Sequence, residues 1–126
     1  MHCTATGKLF LASMKPSARR RMLVGLTLKR HTELTITDRE ELEAQLAKIA
    51  AEGVGYDAGE YLEGMVAIAV PVIGQDSQVC FAIAIHAPSA RKSVAELRQY
   101  LPTLRHAAAR LAVSECSDRD EQEGAV

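Results

Sequence analysis

The stretch Met65-Val66-Ala67-Ile68-Ala69-Val70-Pro71-Val72-Ile73, then Gly74-Gln75-Asp76-Ser77-Gln78, then Val79-Cys80-Phe81-Ala82-Ile83-Ala84-Ile85-His86, decides the fold. Two apolar runs flank a polar, turn-forming segment, the pattern of an antiparallel hairpin. Alternation places Val66, Ile68, Val70 and Val72 on one face of the first strand, with Met65, Ala67, Ala69 and Pro71 opposite. On the second strand Val79, Phe81, Ile83 and Ile85 share a face, and Cys80, Ala82, Ala84 and His86 take the other. A sheet wet on one side carries polar residues there. Here one face is bulky and the other small, and neither is polar, so both are expected under cover. Pro71 has no N–H for a ladder and is expected at an edge or a bulge.

The flanking sequence switches from a period of two to helical spacing. Thr4 to Met14 reads as a helix capped by Thr4 or Thr6, with Leu9, Phe10 and Met14 as its apolar stripe. Pro16 breaks it. Ser17 to Leu26 follows as a helix that buries Met22, Leu23 and Leu26. Residues 27–36 lack a period and read as a loop. Thr37-Asp38-Arg39-Glu40 has the spacing of a capping box, opening a helix that buries Leu42, Leu46 and Ile49 and ends at Gly53. Val54 to Asp57 is a short strand. Ser93-Val94-Ala95-Glu96 is a second capping box, before a helix striped with Leu97, Leu101, Leu104, Ala108 and Leu111. Pro102 is expected to kink that helix unless it lies near a start.

The chain has 126 residues with 48% hydrophobic and 25% charged, the size and balance of one globular domain. With aromatics at only 4%, the core must be aliphatic and rich in Ala. No apolar run approaches the ~20 residues of a membrane span. Cys3, Cys80 and Cys116 are odd in number and far apart, which argues against a disulfide framework and for a reducing, cytoplasmic setting. Residues 1–31 carry seven bases and no acid, and residues 32–63 nine acids and two bases. No basic segment is long enough to demand nucleic acid as a direct partner. Ser114 to Val126 is acidic and reads as a disordered tail.

Few motifs carry chemistry. Thr4-Ala5-Thr6-Gly7-Lys8 opens a helix but lacks the rest of a P-loop. What survives is a helix start whose free amides can hold a carboxylate. His2, His31, His86 and His106 show no metal-site spacing, and neither metal nor cofactor is expected. Cys3 beside His2 resembles a nucleophile with its base, but no third group is in place to orient the pair, so a Cys-dependent hydrolase is the weakest reading. Glu60 and Glu63 read as solvated loop carboxylates, and Arg19-Arg20-Arg21 as a solvent-facing run. The small strand face means either close helix packing, the default, or a cavity. Asp57 and His86 are the polar groups that would border such a cavity.

Taken in order, several segments resemble the IclR family of bacterial transcription regulators. They are His2-Cys3-Thr4-Ala5-Thr6-Gly7-Lys8-Leu9-Phe10-Leu11-Ala12, Thr35-Ile36-Thr37-Asp38 leading into Leu42-Glu43-Ala44-Gln45-Leu46, Gly53-Val54-Gly55-Tyr56-Asp57 with Glu60, Gly64 to Val72, and Ala82 to Arg91. The resemblance spans residues 2 to about 113. It implies an α/β (α+β) effector-binding domain: a GAF-like antiparallel sheet, helices on both faces, the family's first strands not included. On this view residues 1–113 are the effector domain and 114–126 the tail.

The resemblance also implies a site. The effector carboxylate would meet the amides of Ala5 and Thr6, Asp57 would be the acidic pocket position, and Ala67, Ala84 and His86 would line the pocket. Members that bind small oxo acids often carry Cys or Ser at the positions of Ala67 and Ala84, and a small residue at that of His86. This chain is therefore expected to prefer a less polar organic acid. It implies homodimers or homotetramers, no catalysis, and DNA contact only through a winged helix-turn-helix outside this sequence. The rival is a fragment that retains oligomerisation surfaces alone.

Overall fold

The computed structural model describes residues 1–113, so the expected tail at 114–126 lies outside the described residues. Its sheet has three antiparallel strands in the order β1 (Gly55–Ala58), β2 (Met65–Ile73) and β3 (Val79–Pro88). The hairpin forms where the period predicts it. Gly74 donates to the Gln78 carbonyl and Ser77 to that of Gly74, with Ser77 left-handed at the turn. Pro71 lies two residues beyond the last β1–β2 pair, Gly55 with Ala69, so it occupies an edge position within the central strand.

A bulge changes the facing at one end. Val72 pairs with Phe81 but Ile73 pairs with Val79, which leaves Cys80 as the extra residue. Val79 therefore joins the small face, beside Leu9, Ala12 and Pro71. Cys80 packs with the bulky side. Both placements reverse the simple alternation, because a bulge adds one residue to a period of two.

The two faces take different covers. The small face meets α1 (Ala5–Ser13), which rests on α3 (Arg39–Glu52), with α2 (Pro16–Gly25) behind. The bulky face meets α4 (Val94–Leu97), a 3₁₀ turn over Arg98–Tyr100, and α5 (Leu101–Leu111). The expected long helix is thus split. Pro102 sits in the first turn of α5, where a missing N–H costs nothing. Because α5 runs chiefly over β2, the outer residues Phe81 and Leu111 stay exposed although they were expected in the core.

Helix ends follow local chemistry. Thr4 caps α1, its hydroxyl accepting from the Gly7 amide. Ser93 and Glu96 form the expected reciprocal box, and Gly53 closes α3 in the left-handed region. At the start of α3 the cap is Asp38, not Thr37: its carboxylate accepts the Glu40 amide. Arg39 turns back to the last carbonyls of α2, donating to Leu23 at 2.9 Å. Met22 is exposed, and Leu23 alone of α2's expected residues is fully buried.

Candidate functional site

Strand register brings the sequence-derived residues together. Asp57 pairs with Ala67 and Ala67 with His86, so these three form one row across the sheet. Gly55, Ala69 and Ala84 form the adjacent row. Directly paired residues share a face, so both rows lie on the small face under α1. The approach is close: a Cβ on Gly55 would collide with the Ala5 carbonyl and press on Leu9 Cβ at 3.1 Å.

Cover over these rows is uneven. Ala67 and Ala69 are buried at 1% and 0%, whereas Ala82 and Ala84 on β3 are only half-buried. Close packing therefore holds near β1 and β2, and the face opens toward β3. His86, at the outer end of its row, is exposed; the groove of about 450 Å³ beside it is lined by Leu97, Tyr100 and Leu104 and so belongs to the opposite, α4–α5 side of the sheet. At the start of α1 the Thr4 side chain satisfies Gly7, which leaves the amides of Ala5 and Thr6 as the turn's available donors.

Asp57 is buried, and one of its oxygens accepts the Glu60 amide at 2.6 Å, fixing the turn after β1. Glu60 is not solvated as its loop position suggests. It is buried and paired with Lys8, Nζ to Oε2 at 2.6 Å. Lys8 itself is 0% exposed. Its ammonium also donates to Gln45 Oε1 at 2.6 Å and lies 4.7 Å from the Tyr56 ring centre. Oε1 of Glu60 has no hydrogen-bond partner among the described residues. Burial pushes the Lys8 ammonium below its ordinary pKa and the Glu60 carboxyl above its own, and pairing only partly offsets both. The loop 27–36 grips this turn, with Thr32 Oγ1 donating to the Gly59 carbonyl and Thr35 Oγ1 to that of Glu60.

Other expectations change as well. Arg19 is buried, not solvent-facing. It makes a forked bond to Glu43 and reaches the Ala12 carbonyl at 3.3 Å, tying α2 to α3 and α1. Arg20 and Arg21 do face solvent. Cys3 is no activated nucleophile: burial holds its thiol above the ordinary value, and His2 spends Nε2 on the Lys29 carbonyl at 2.8 Å. The fold nevertheless gathers His2, Cys3 and His31, one potential ligand atom from each lying within 4.8 Å of the others. Chain spacing concealed this cluster, because loop 27–36 supplies His31.

The family model described as bacterial transcriptional regulator IclR C-terminal matches residues 1–113. The chain belongs to the IclR family. It is 41% identical over 116 residues to the probable transcriptional regulator SauR of Cupriavidus necator, covering 92% of this chain and 46% of that protein. It is 37% identical to the HTH-type transcriptional regulator KdgR of Escherichia coli over 110 residues, 87% of this chain and 41% of that one. It spans less than half the length of these curated relatives. Among solved structures, it superposes with a TM-score of 0.84 and 29% identity on a double mutant of the PobR inducer-binding domain from Acinetobacter, in complex with 3-hydroxybenzoic acid. That match covers 88% of this chain and 64% of that one. The C-terminal domain of E. coli KdgR gives 0.81 at 35% identity, covering 89% and 68%. The matched IclR region is thus the effector-binding domain of transcriptional regulators rather than an enzyme. Among the described residues no helix is long and apolar enough to cross a membrane.

Proposed function

We propose that residues 1–113 sense a small organic acid whose carboxylate rests on the Ala5 and Thr6 amides. The ligand body lies over the rows formed by Asp57, Ala67, Ala84 and His86. The observation that supports this reading is the start of α1 beside a small-residue sheet face that is only half-covered at Ala82 and Ala84. No hydroxyl or thiol stands at Ala67 or Ala84, so the ligand is aromatic or aliphatic rather than a small oxo acid. The 3-hydroxybenzoic acid in complex with the double mutant of the PobR inducer-binding domain is of that class. Binding works without catalysis. The ligand favours one arrangement of the domain and thereby biases DNA-binding domains of a full-length cytoplasmic regulator.

A thermal-shift panel tests this. Aromatic and aliphatic acids are expected to stabilise the chain, and Ala84→Leu, which fills the half-open row, is expected to abolish the shift. Stabilisation by small oxo acids alone overturns the reading.

As a second activity we propose self-association, which the family resemblance implies. A homodimer or homotetramer is expected in sedimentation, and a monomer at high concentration refutes it.

A further inference from the structure

The geometry points to a transition-metal site at His2, Cys3 and His31, of the class that takes Zn²⁺. An ion centred among three atoms no more than 4.8 Å apart lies about 2.8 Å from each, against bond lengths of about 2.0–2.3 Å. His31 is exposed and closes that gap by rotating its own side chain. Imidazole and thiolate donors suit Zn²⁺ and reject Mg²⁺ and Ca²⁺, which require oxygen.

The surroundings are arranged as a ligand shell requires. A carbonyl only accepts, so the 2.8 Å contact with Lys29 fixes the proton of His2 on Nε2 and leaves the lone pair on Nδ1. His31 is braced by the edge of Tyr61, with ring centres 5.4 Å apart, and its amide donates to Thr35 Oγ1. Binding forms a Zn–S bond as the Cys3 S–H proton leaves to solvent. Three protein ligands leave a fourth position for water. A bound ion fastens the segment before α1 to loop 27–36, a link made without any organic acid.

Cobalt reports the thiolate directly. In the untagged, reduced chain carrying Cys80→Ala and Cys116→Ala, one equivalent of Co²⁺ is expected to give a thiolate-to-cobalt charge-transfer band, bleached by one equivalent of Zn²⁺. His31→Ala, an exposed change, is expected to weaken Zn²⁺ by at least about 10-fold, while His106→Ala leaves it unchanged. Cys3→Ala is expected to abolish the band and the rise in unfolding temperature that Zn²⁺ produces. Absence of the band in the parent, or equal Zn²⁺ affinity in His31→Ala, overturns the site.

Discussion

Removing the charge of Lys8 while keeping its bulk probes the buried pair. In Lys8→Met the aliphatic stem remains, so little packing is lost. What disappears is the 2.6 Å contact to Glu60, the 2.6 Å bond to Gln45 and the cation over Tyr56. At an effective dielectric of ~20 the ion pair attracts by roughly 6 kcal/mol, and desolvation takes back most of it. The single substitution strands a buried carboxylate that keeps only the Ala58 amide, at 3.3 Å. The expected loss is about 3–5 kcal/mol in urea unfolding at neutral pH, a large share of a typical domain's total. Lys8→Met with Glu60→Gln removes both charges and should recover at least about 2 kcal/mol.

The pH dependence fixes the sign. In Lys8→Met the folded-state pKa of Glu60, already raised by burial, loses its main opposing influence. A raised folded pKa gives stability that is complete below the unfolded value and lost as pH rises through the folded one. The deficit of Lys8→Met should therefore shrink as pH falls from neutral toward the usual carboxylate range. A loss under about 1 kcal/mol, or a deficit independent of pH, refutes this account of the pair.

Gly55→Ala should cost about 1–3 kcal/mol, because α1 must retreat from β1, and it should also reduce the shift produced by an effector acid. Parallel unfolding and thermal-shift measurements check both, and unchanged binding would separate the helix start from the site. Arg19→Lys loses the fork to Glu43 and should cost about 1–3 kcal/mol. Arg21→Lys, on the exposed side, should stay within about 0.5 kcal/mol. Chemical denaturation distinguishes the two, and equal losses would mean that the run acts as one surface.

Periodicity made the hairpin, the helices and the two-faced sheet legible, because each follows from local spacing. The row of Asp57, Ala67 and His86 was less so: alternation put Ala67 and His86 on the small face and marked Asp57 and His86 as its polar groups, but strand pairing is what sets the three side by side. The Lys8–Glu60 pair was illegible. A Lys after Gly and a Glu in a loop look solvent-exposed until α3 and the Thr32–Thr35 segment close over them. Thr37 and Asp38 compete for the same cap, and composition alone does not decide between neighbours. The bulge at Cys80 left no signal at all, since Val79, Cys80 and Phe81 continue the alternation unbroken. The cluster of His2, Cys3 and His31 depends on a loop with no period to read.

Pro71 has a consequence for alignment. Antiparallel ribbons rich in Ala and Val can slide in steps of two while keeping each side chain on its own face. Sliding β1 by one such step toward the hairpin would set Gly55 opposite Pro71, whose nitrogen has no hydrogen to give. It would also set Asp57 opposite Ala69 rather than Ala67. The ring thus acts as a stop on the track: a residue outside the row determines whether the Asp57 carboxylate faces Ala67 and His86.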